Sequence, residues 1–348
     1  MKKSLIVLAL ASLAGGTAFA QSSVTLFGVV DMSVNSITTG SSRIRTVDGG
    51  TGGVNLQSNR LGFRGNEDLG GGMAAGFWLE AGLDSDIGAA GGSNGVSATP
   101  ALFNRRSTLS LTSTFGELRV GRDYNPTAWN QFSEAYGANG FGGLLYMVLD
   151  GLGSNAKSLV RSNNSVTYFL PGNLGGVYGR FMMTLGENGP VQNSGQKYKG
   201  GLLGYAAGPM NVSFALGNTK TATADDYKDL NFAASYDFGA AKVYGLWDQA
   251  KYGAKKRTTY EISTSVPMGQ SEFRAAYIRA DSSGAGTDAN DGTKIALEYI
   301  YNLSKRTALY TQYGRLTNSG AAAFSLTGSG GVAGQTMTGY GLGIRHAF

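Results

Sequence analysis

The sequence predicts an all-β protein, a transmembrane antiparallel β-barrel of about sixteen strands that closes on itself. Three observations carry that expectation. Apolar and polar residues alternate over stretches of ten residues or more, short reversals take turns with long polar connections, and the chain ends in a strand with one apolar face. A strand of that kind left open would template aggregation, so it must close against another strand, and the first strand is the natural partner.

Composition agrees with strand and turn rather than helix. The 348 residues include 55 Gly outside any collagen triplet, with 15% charged and 11% aromatic residues. Beyond the N-terminus no apolar run approaches the ~18 residues of a membrane helix. Mean hydropathy near zero does not argue against a membrane barrel, whose apolar residues are diluted by alternation.

Met1-Lys2-Lys3, the apolar run from Leu5 to Leu13 and Ala18-Phe19-Ala20 read as an export signal, residues 1–20, cleaved before Gln21. Residues 21–348 are then expected to form a single barrel domain. The absence of cysteine excludes lipidation at the cleavage site and leaves no disulfide or thiolate. The formal charge of +6 loses Lys2 and Lys3 with the signal, leaving +4. Basic residues are scattered rather than clustered, and an exported protein meets no genome, so nucleic acid is not an expected partner.

In the first strand, Val24, Leu26, Gly28, Val30, Met32 and Val34 share one face; Thr25, Phe27, Val29, Asp31, Ser33 and Asn35 share the other. A Gly-, Ser- and Thr-rich stretch reaches to about Gln57. Arg60 to Leu83 reads as a hairpin around Gly70-Gly71-Gly72, with Leu61 and Phe63 opposite Arg60 and Arg64. Arg106 to Asp123 is a second hairpin, turning at Phe115-Gly116-Glu117. Later reversals fall at Pro171-Gly172-Asn173, Gly208-Pro209, Phe238-Gly239, Pro267-Met268-Gly269 and Asn302-Leu303-Ser304. Long connections are expected near Glu187 to Lys197, Lys220 to Asp226, Lys251 to Lys256, Ser282 to Asp291 and Thr317 to Gln335. Tyr124 to Val160 breaks the rhythm: it lacks alternation yet carries Trp129, Phe132, Tyr136, Phe141 and Leu144. A connection so long and apolar must pack against something, either as a flap or subunit contact or folded into the barrel.

Enzymatic readings find little support. The only histidine, His346, lies in the last strand, and Gly341-x-Gly343 is not followed by a helix. No cofactor or metal is expected. Alternation instead turns charge inward, at Arg60, Arg64, Arg106, Arg180, Lys242, Arg274 and Lys294 beside Asp31, Glu80, Glu261 and Glu298. A charge on the lipid face costs ~2–4 kcal/mol at mid-membrane. Inward rings of charge set the selectivity of a pore.

Several motifs together resemble the trimeric general porins of Gram-negative outer membranes, in their β-proteobacterial branch. They are Ser23-Val24-Thr25-Leu26-Phe27-Gly28, the segment from Arg60 to Gly72, Gly116-Glu117-Leu118-Arg119-Val120-Gly121-Arg122, Leu303-Ser304-Lys305-Arg306-Thr307 and the terminal Gly343-Ile344-Arg345-His346-Ala347-Phe348. The resemblance implies sixteen strands, a homotrimer set among outer-membrane lipid and lipopolysaccharide, and a third extracellular loop folded inward as a constriction. It implies a wall of arginines there: Arg60, one of the pair Arg105 and Arg106, of which alternation favours Arg106, and Arg161. Glu80 matches a wall carboxylate, and Arg64 and Arg122 extend the candidate set. It also implies a C-terminal signal for the barrel-assembly machinery, carried by Phe348 with Tyr340, Leu342 and Ile344. The inserted loop of such porins usually turns acids toward the arginines, whereas here it offers only Asp123, Glu134 and Asp150. The expectation is therefore a passive channel for ions and small hydrophilic solutes with weak anion preference. A barrel acting mainly in adhesion or surface recognition is the alternative.

Overall fold

A computed structural model describes residues 23–50, 54–91, 101–137, 139–156, 158–185, 197–221, 225–328 and 331–348. The expected signal peptide and most of the connection from Glu187 to Lys197 lie outside the described residues.

Among the described residues the chain forms β1 (Ser23–Thr39), β2 (Ser42–Asp48), β3 (Arg60–Gly70), β4 (Met73–Asp84), β5 (Ala89–Ala90), β6 (Arg106–Ser113), β7 (Gly116–Tyr124), β8 (Arg161–Phe169) and β9 (Val177–Thr184). It continues through β10 (Lys197–Ala207), β11 (Met210–Lys220), β12 (Tyr227–Asp237), β13 (Lys242–Tyr252), β14 (Lys255–Met268), β15 (Ser271–Ser283), β16 (Gly292–Asn302), β17 (Thr307–Asn318) and β18 (Thr336–Ala347). Sixteen of these are barrel staves, and every pairing is antiparallel. The two others are short: β2 extends the β1 hairpin and β5 folds back on β4.

Closure occurs where the alternation demanded it. Val29 to Thr39 of β1 pairs with Ala347 to Met337 of β18. Gly28 and Phe348 complete the seam with reciprocal backbone hydrogen bonds of 3.0 and 3.1 Å. Tyr340, Leu342, Ile344 and Phe348 all stand exposed on the outer face, as a lipid-facing strand requires. The short reversals gather at one rim and the long connections at the other. One expected long connection is short: β13 and β14 meet at a tight Gly253-Ala254 turn, because the lysines read as loop polarity are strand residues at the rim.

The connection 125–160 lies inside the barrel. Its helix α1 (Pro126–Gln131) starts on a proline, which sets the backbone for the first turn. A single turn, α2 (Leu145–Val148), follows. Phe141, Leu144 and Met147 are fully buried against Ile278, Ala296 and Leu316 of the wall. Burying each such side chain is worth ~1.5–3 kcal/mol. The wall makes room by omitting side chains: a Cβ at Gly314 would lie 2.6 Å from Phe141 Cβ, and one at Gly339 would lie 2.7 Å from its Cζ.

Polar groups fix the loop in register. Asn130 donates to Asn231 at 2.8 Å and accepts from Ser213 at 2.5 Å. Gln131 donates to Asp248 at 2.8 Å and to Asp229 at 3.1 Å. Phe141 N–H donates to Gln312 at 3.1 Å, and Lys294 donates to the Gly143 carbonyl. Arg257 holds the Val148 carbonyl at 2.8 Å and pairs with Asp150. Burial pushes the Tyr136 phenol up, with Glu298 and Glu134 adding to the effect, so it donates as a neutral group to the Arg274 carbonyl at 3.2 Å. The flap and subunit-contact readings of this segment therefore give way to an internal one.

Candidate functional site

The inserted loop crosses the lumen opposite the wall formed by β3, β4 and the ends of β6 to β8. Glu80 stands at the centre of that wall. Its carboxylate accepts from Arg105 Nε at 2.6 Å and from Trp78 Nε1 at 3.0 Å, and Arg60 approaches to 3.8 Å. Arg105 reaches on to the Tyr124 hydroxyl at 3.3 Å, and Arg161 donates to the same oxygen. The Arg161 guanidinium also lies 4.0 Å over the Tyr124 ring. Arg60, Arg105, Tyr124 and Arg161 line one cavity of about 490 Å³ with Trp129 and Phe132.

Both members of the arginine pair face inward. The strand begins only at Arg106, so Arg105 lies outside the pleat and is free to turn the same way. Arg106 sits lower, 3.9 Å from Asp123 and 4.5 Å over Trp78, and Arg64 covers the other part of that ring at 5.1 Å. Alternation favours Arg106 of the pair; in the structure Arg105 lines one cavity with Arg60 and Arg161, and Arg106 lies in the tier beneath.

The acids behave differently from the arginines. Asp123 is committed to Arg119 at 2.6 Å. Glu134 accepts from the Tyr136 and Leu144 backbone at 3.0 and 3.3 Å, a loop-internal use. Asp150 turns to Arg257. Arg60, Arg105 and Arg161 thus line the opening together with Arg274 and Arg345, Glu80 is the carboxylate that Arg60 and Arg105 contact, and Glu134 stands on the loop side of the same cavity.

Arg122 does not join them. Its cross-strand partner Ser107 shares the outward face of Leu79 and Leu109. Its guanidinium is held by the Asn104 carbonyl at 2.6 Å and Asn163 Oδ1 at 2.5 Å. Arg119, in the inward phase of the same strand, lines the lumen instead and lies 4.1 Å over Phe169. The alternation of Glu117 and Arg119 against Leu118 and Val120 carried that signal. Tyr124 and Trp129 had no periodic signal, because they stand where strand gives way to loop.

A sixteen-stranded barrel narrowed by an inserted loop has a counterpart among known proteins. The sequence model of the Gram-negative porins matches residues 5–321. The chain belongs to that family. Outer membrane porin protein 32 of Delftia acidovorans is 40% identical over 369 aligned residues that span 100% of both chains. An outer membrane porin protein of Bordetella pertussis is 28% identical, again over 100% of both. An anion-selective porin from Comamonas acidovorans shares the fold with TM-score 0.80, at 34% identity over 94% of this chain and 100% of its own. This porin is accordingly an outer-membrane protein and a water-filled passive channel, in a family of channels rather than enzymes. Family membership favours transport over the adhesion reading.

Proposed function

We propose that this porin prefers anions, and that Arg60, Arg105 and Arg161 are its selectivity filter. The observation that carries the reading is the disposal of the acids: Asp123 and Asp150 are paired with Arg119 and Arg257, so Glu80 is the carboxylate in contact with Arg60 and Arg105, and Glu134 faces them from the loop side of the same cavity. Cation–π stacking on Tyr124 orders the Arg161 guanidinium without neutralising it. Low-dielectric walls amplify such unbalanced charge. The 34%-identical relative described as anion-selective supports the same reading. Solutes would be inorganic anions and small hydrophilic acids.

The test is the reversal potential in planar bilayers across a KCl gradient. The wild type should give an anion-signed potential, Arg60→Gln with Arg105→Gln and Arg161→Gln should bring it to near zero or reverse it, and Glu80→Gln should drive it further toward anions. A cation-signed wild type would sink the filter assignment.

The assembly we infer is a homotrimer of one-domain barrels, residues 21–348. The outer face of β1, β6 and β7 is aliphatic, with Val24, Leu26, Leu109, Leu118 and Val120 exposed, whereas the opposite arc exposes Phe214, Tyr260, Tyr277 and Tyr299. Interfacial aromatics mark contact with lipid headgroups, and their scarcity on one arc fits a neighbouring subunit there. Outward-facing Arg122 needs such cover for the same reason. On the opposite arc, Lys228 stands directly across from Lys251, and Lys251 across from Lys256. Like charges so paired repel unless an anion lies between them, and the phosphates of lipopolysaccharide supply one. Phe348, at the closing seam, suits the terminal assembly signal.

A further inference from the structure

Continuous with the filter, whose Arg60, Glu80 and Tyr124 line its upper part, a cavity of about 490 Å³ runs toward the short turns between Trp129, Phe169, Tyr178 and Arg180, with Asp123 held by Arg119 at its side. Two features of it are unusual for a passage that conducts only hydrated inorganic ions. Trp129, on α1, is 50% exposed inside a water-filled lumen, although the neighbours Thr127, Ala128, Asn130 and Gln131 are all turned to the wall. Arg180, on β9, is only 6% exposed, and its Nη2 finds no hydrogen-bond partner among the described residues.

The two groups are adjacent. The Arg180 guanidinium lies 4.6 Å over the Trp129 ring and 5.8 Å from Phe169. Stacking leaves the in-plane N–H groups of an arginine free for a carboxylate. Arg119 is different: Glu117 and Asp123 hold it at 2.8 and 2.6 Å. Asp123 also pairs with Arg106. Arg180 is thus a buried cation with an unpaired donor beside an indole that packs on Arg180 and Tyr124 yet stays half exposed, and leaving such a donor unpaired is costly.

We propose that this cavity is a binding subsite for aromatic carboxylates, with the carboxylate on Arg180 and the ring against Trp129. The proposal rests on the anion-channel reading and extends it from a field to a solute class. An aliphatic acid of the same charge would meet Arg180 equally well but forgo the aromatic contact, worth ~0.5–1.5 kcal/mol, or about three- to tenfold in affinity. A solute would pass the filter, pause with its ring on Trp129, and leave toward the short-turn rim.

The experiment titrates benzoate, cyclohexanecarboxylate and acetate against the chloride current of the trimer in planar bilayers, with the KCl reversal potential recorded on the same membranes. Benzoate should half-block at a concentration about three- to tenfold below either control acid. Trp129→Ala should erase the difference, Trp129→Phe should restore part of it, and Arg180→Gln should weaken all three acids. Quenching of wild-type tryptophan fluorescence by benzoate gives a readout independent of the variants. Equal half-block by all three acids, or benzoate block unchanged in Trp129→Ala, overturns the subsite. If that happens with an anion-signed reversal potential, the filter reading survives; a cation-signed potential with intact benzoate preference overturns the filter and keeps the subsite.

Discussion

The two arcs of the barrel wall use the same amino-acid types for opposite ends. On the arc from β1 to β8, inward charges line the cavity at the opening: Arg60 keeps about a quarter of its side chain exposed, beside the more deeply set Arg105, Arg161 and Glu80. On the arc from β11 to β18, inward charges are covered: Asp229, Asp248, Arg257, Glu261, Lys294 and Glu298 are all buried beneath the inserted loop. The outer faces of β1, β6 and β7 expose aliphatic side chains, whereas β11 to β18 expose aromatic side chains among aliphatic ones. An inward charge in a barrel therefore has no fixed meaning. One left facing water shapes the field of the pore, whereas one under a loop is an anchor, kept because removing a partner would strand its mate.

The comparison breaks most completely if the loop leaves the second arc. Gly314→Leu would place a side chain in the space held by Phe141, and overpacking of this kind costs ~1–3 kcal/mol. Open-channel current noise should rise severalfold, and the reversal potential should fall toward that of free diffusion, since the loop would no longer hold Trp129 and Phe132 against the arginines. Gly245→Ala is the control, because a Cβ there meets nothing within 4 Å. A quiet, still selective Gly314→Leu channel would show that the anchors are dispensable.

A smaller effect separates the outside of the second arc from its inside. Replacing Lys228, Lys251 and Lys256 by Gln removes the row of directly opposed lysines. Each lysine near an anionic membrane surface is worth ~1 kcal/mol, so retention of phosphorylated glycolipid through detergent extraction should drop about fivefold per residue. Native mass spectrometry reads the retained lipid. The reversal potential should not move; if it does, these lysines act on the pore and the assignment to the outer surface is wrong.

Much of this was legible because a strand repeats every two residues. Alternation marked Arg60, Glu80, Arg180, Lys294 and Glu298 as inward, and the apolar face of Tyr340 to Phe348 predicted the seam. It failed where the repeat is interrupted. Arg105 precedes its strand, and the register of β7 against β8 shifts between Gly121 and Asp123, just where Arg122 and Tyr124 had to be assigned. The loop was beyond reach for a further reason. Trp129 is aimed by Asn130 and Gln131 on Asn231 and Asp248, about a hundred residues away in sequence, and nothing local encodes those pairings.

Arg122 gives the finest division, between the two faces of a single arc. Arg106 and Arg122 lie in the same hairpin, and each is held by polar partners, yet one stacks on Trp78 in the lumen and the other pairs across the wall from Ser107. Arg106→Gln should lower the anion-signed reversal potential and leave subunit association intact. Arg122→Gln should do the reverse, lowering the temperature at which the proposed trimer dissociates by a few degrees, because the Arg122 bonds to Asn104 and Asn163, worth ~1.5–3 kcal/mol from a charged donor, would lie beneath the proposed subunit contact. If Arg122→Gln shifted the potential and spared the trimer, Arg122 would belong to the lumen after all. The aliphatic arc would then lose the polar contact that distinguishes a subunit interface from a lipid-facing wall.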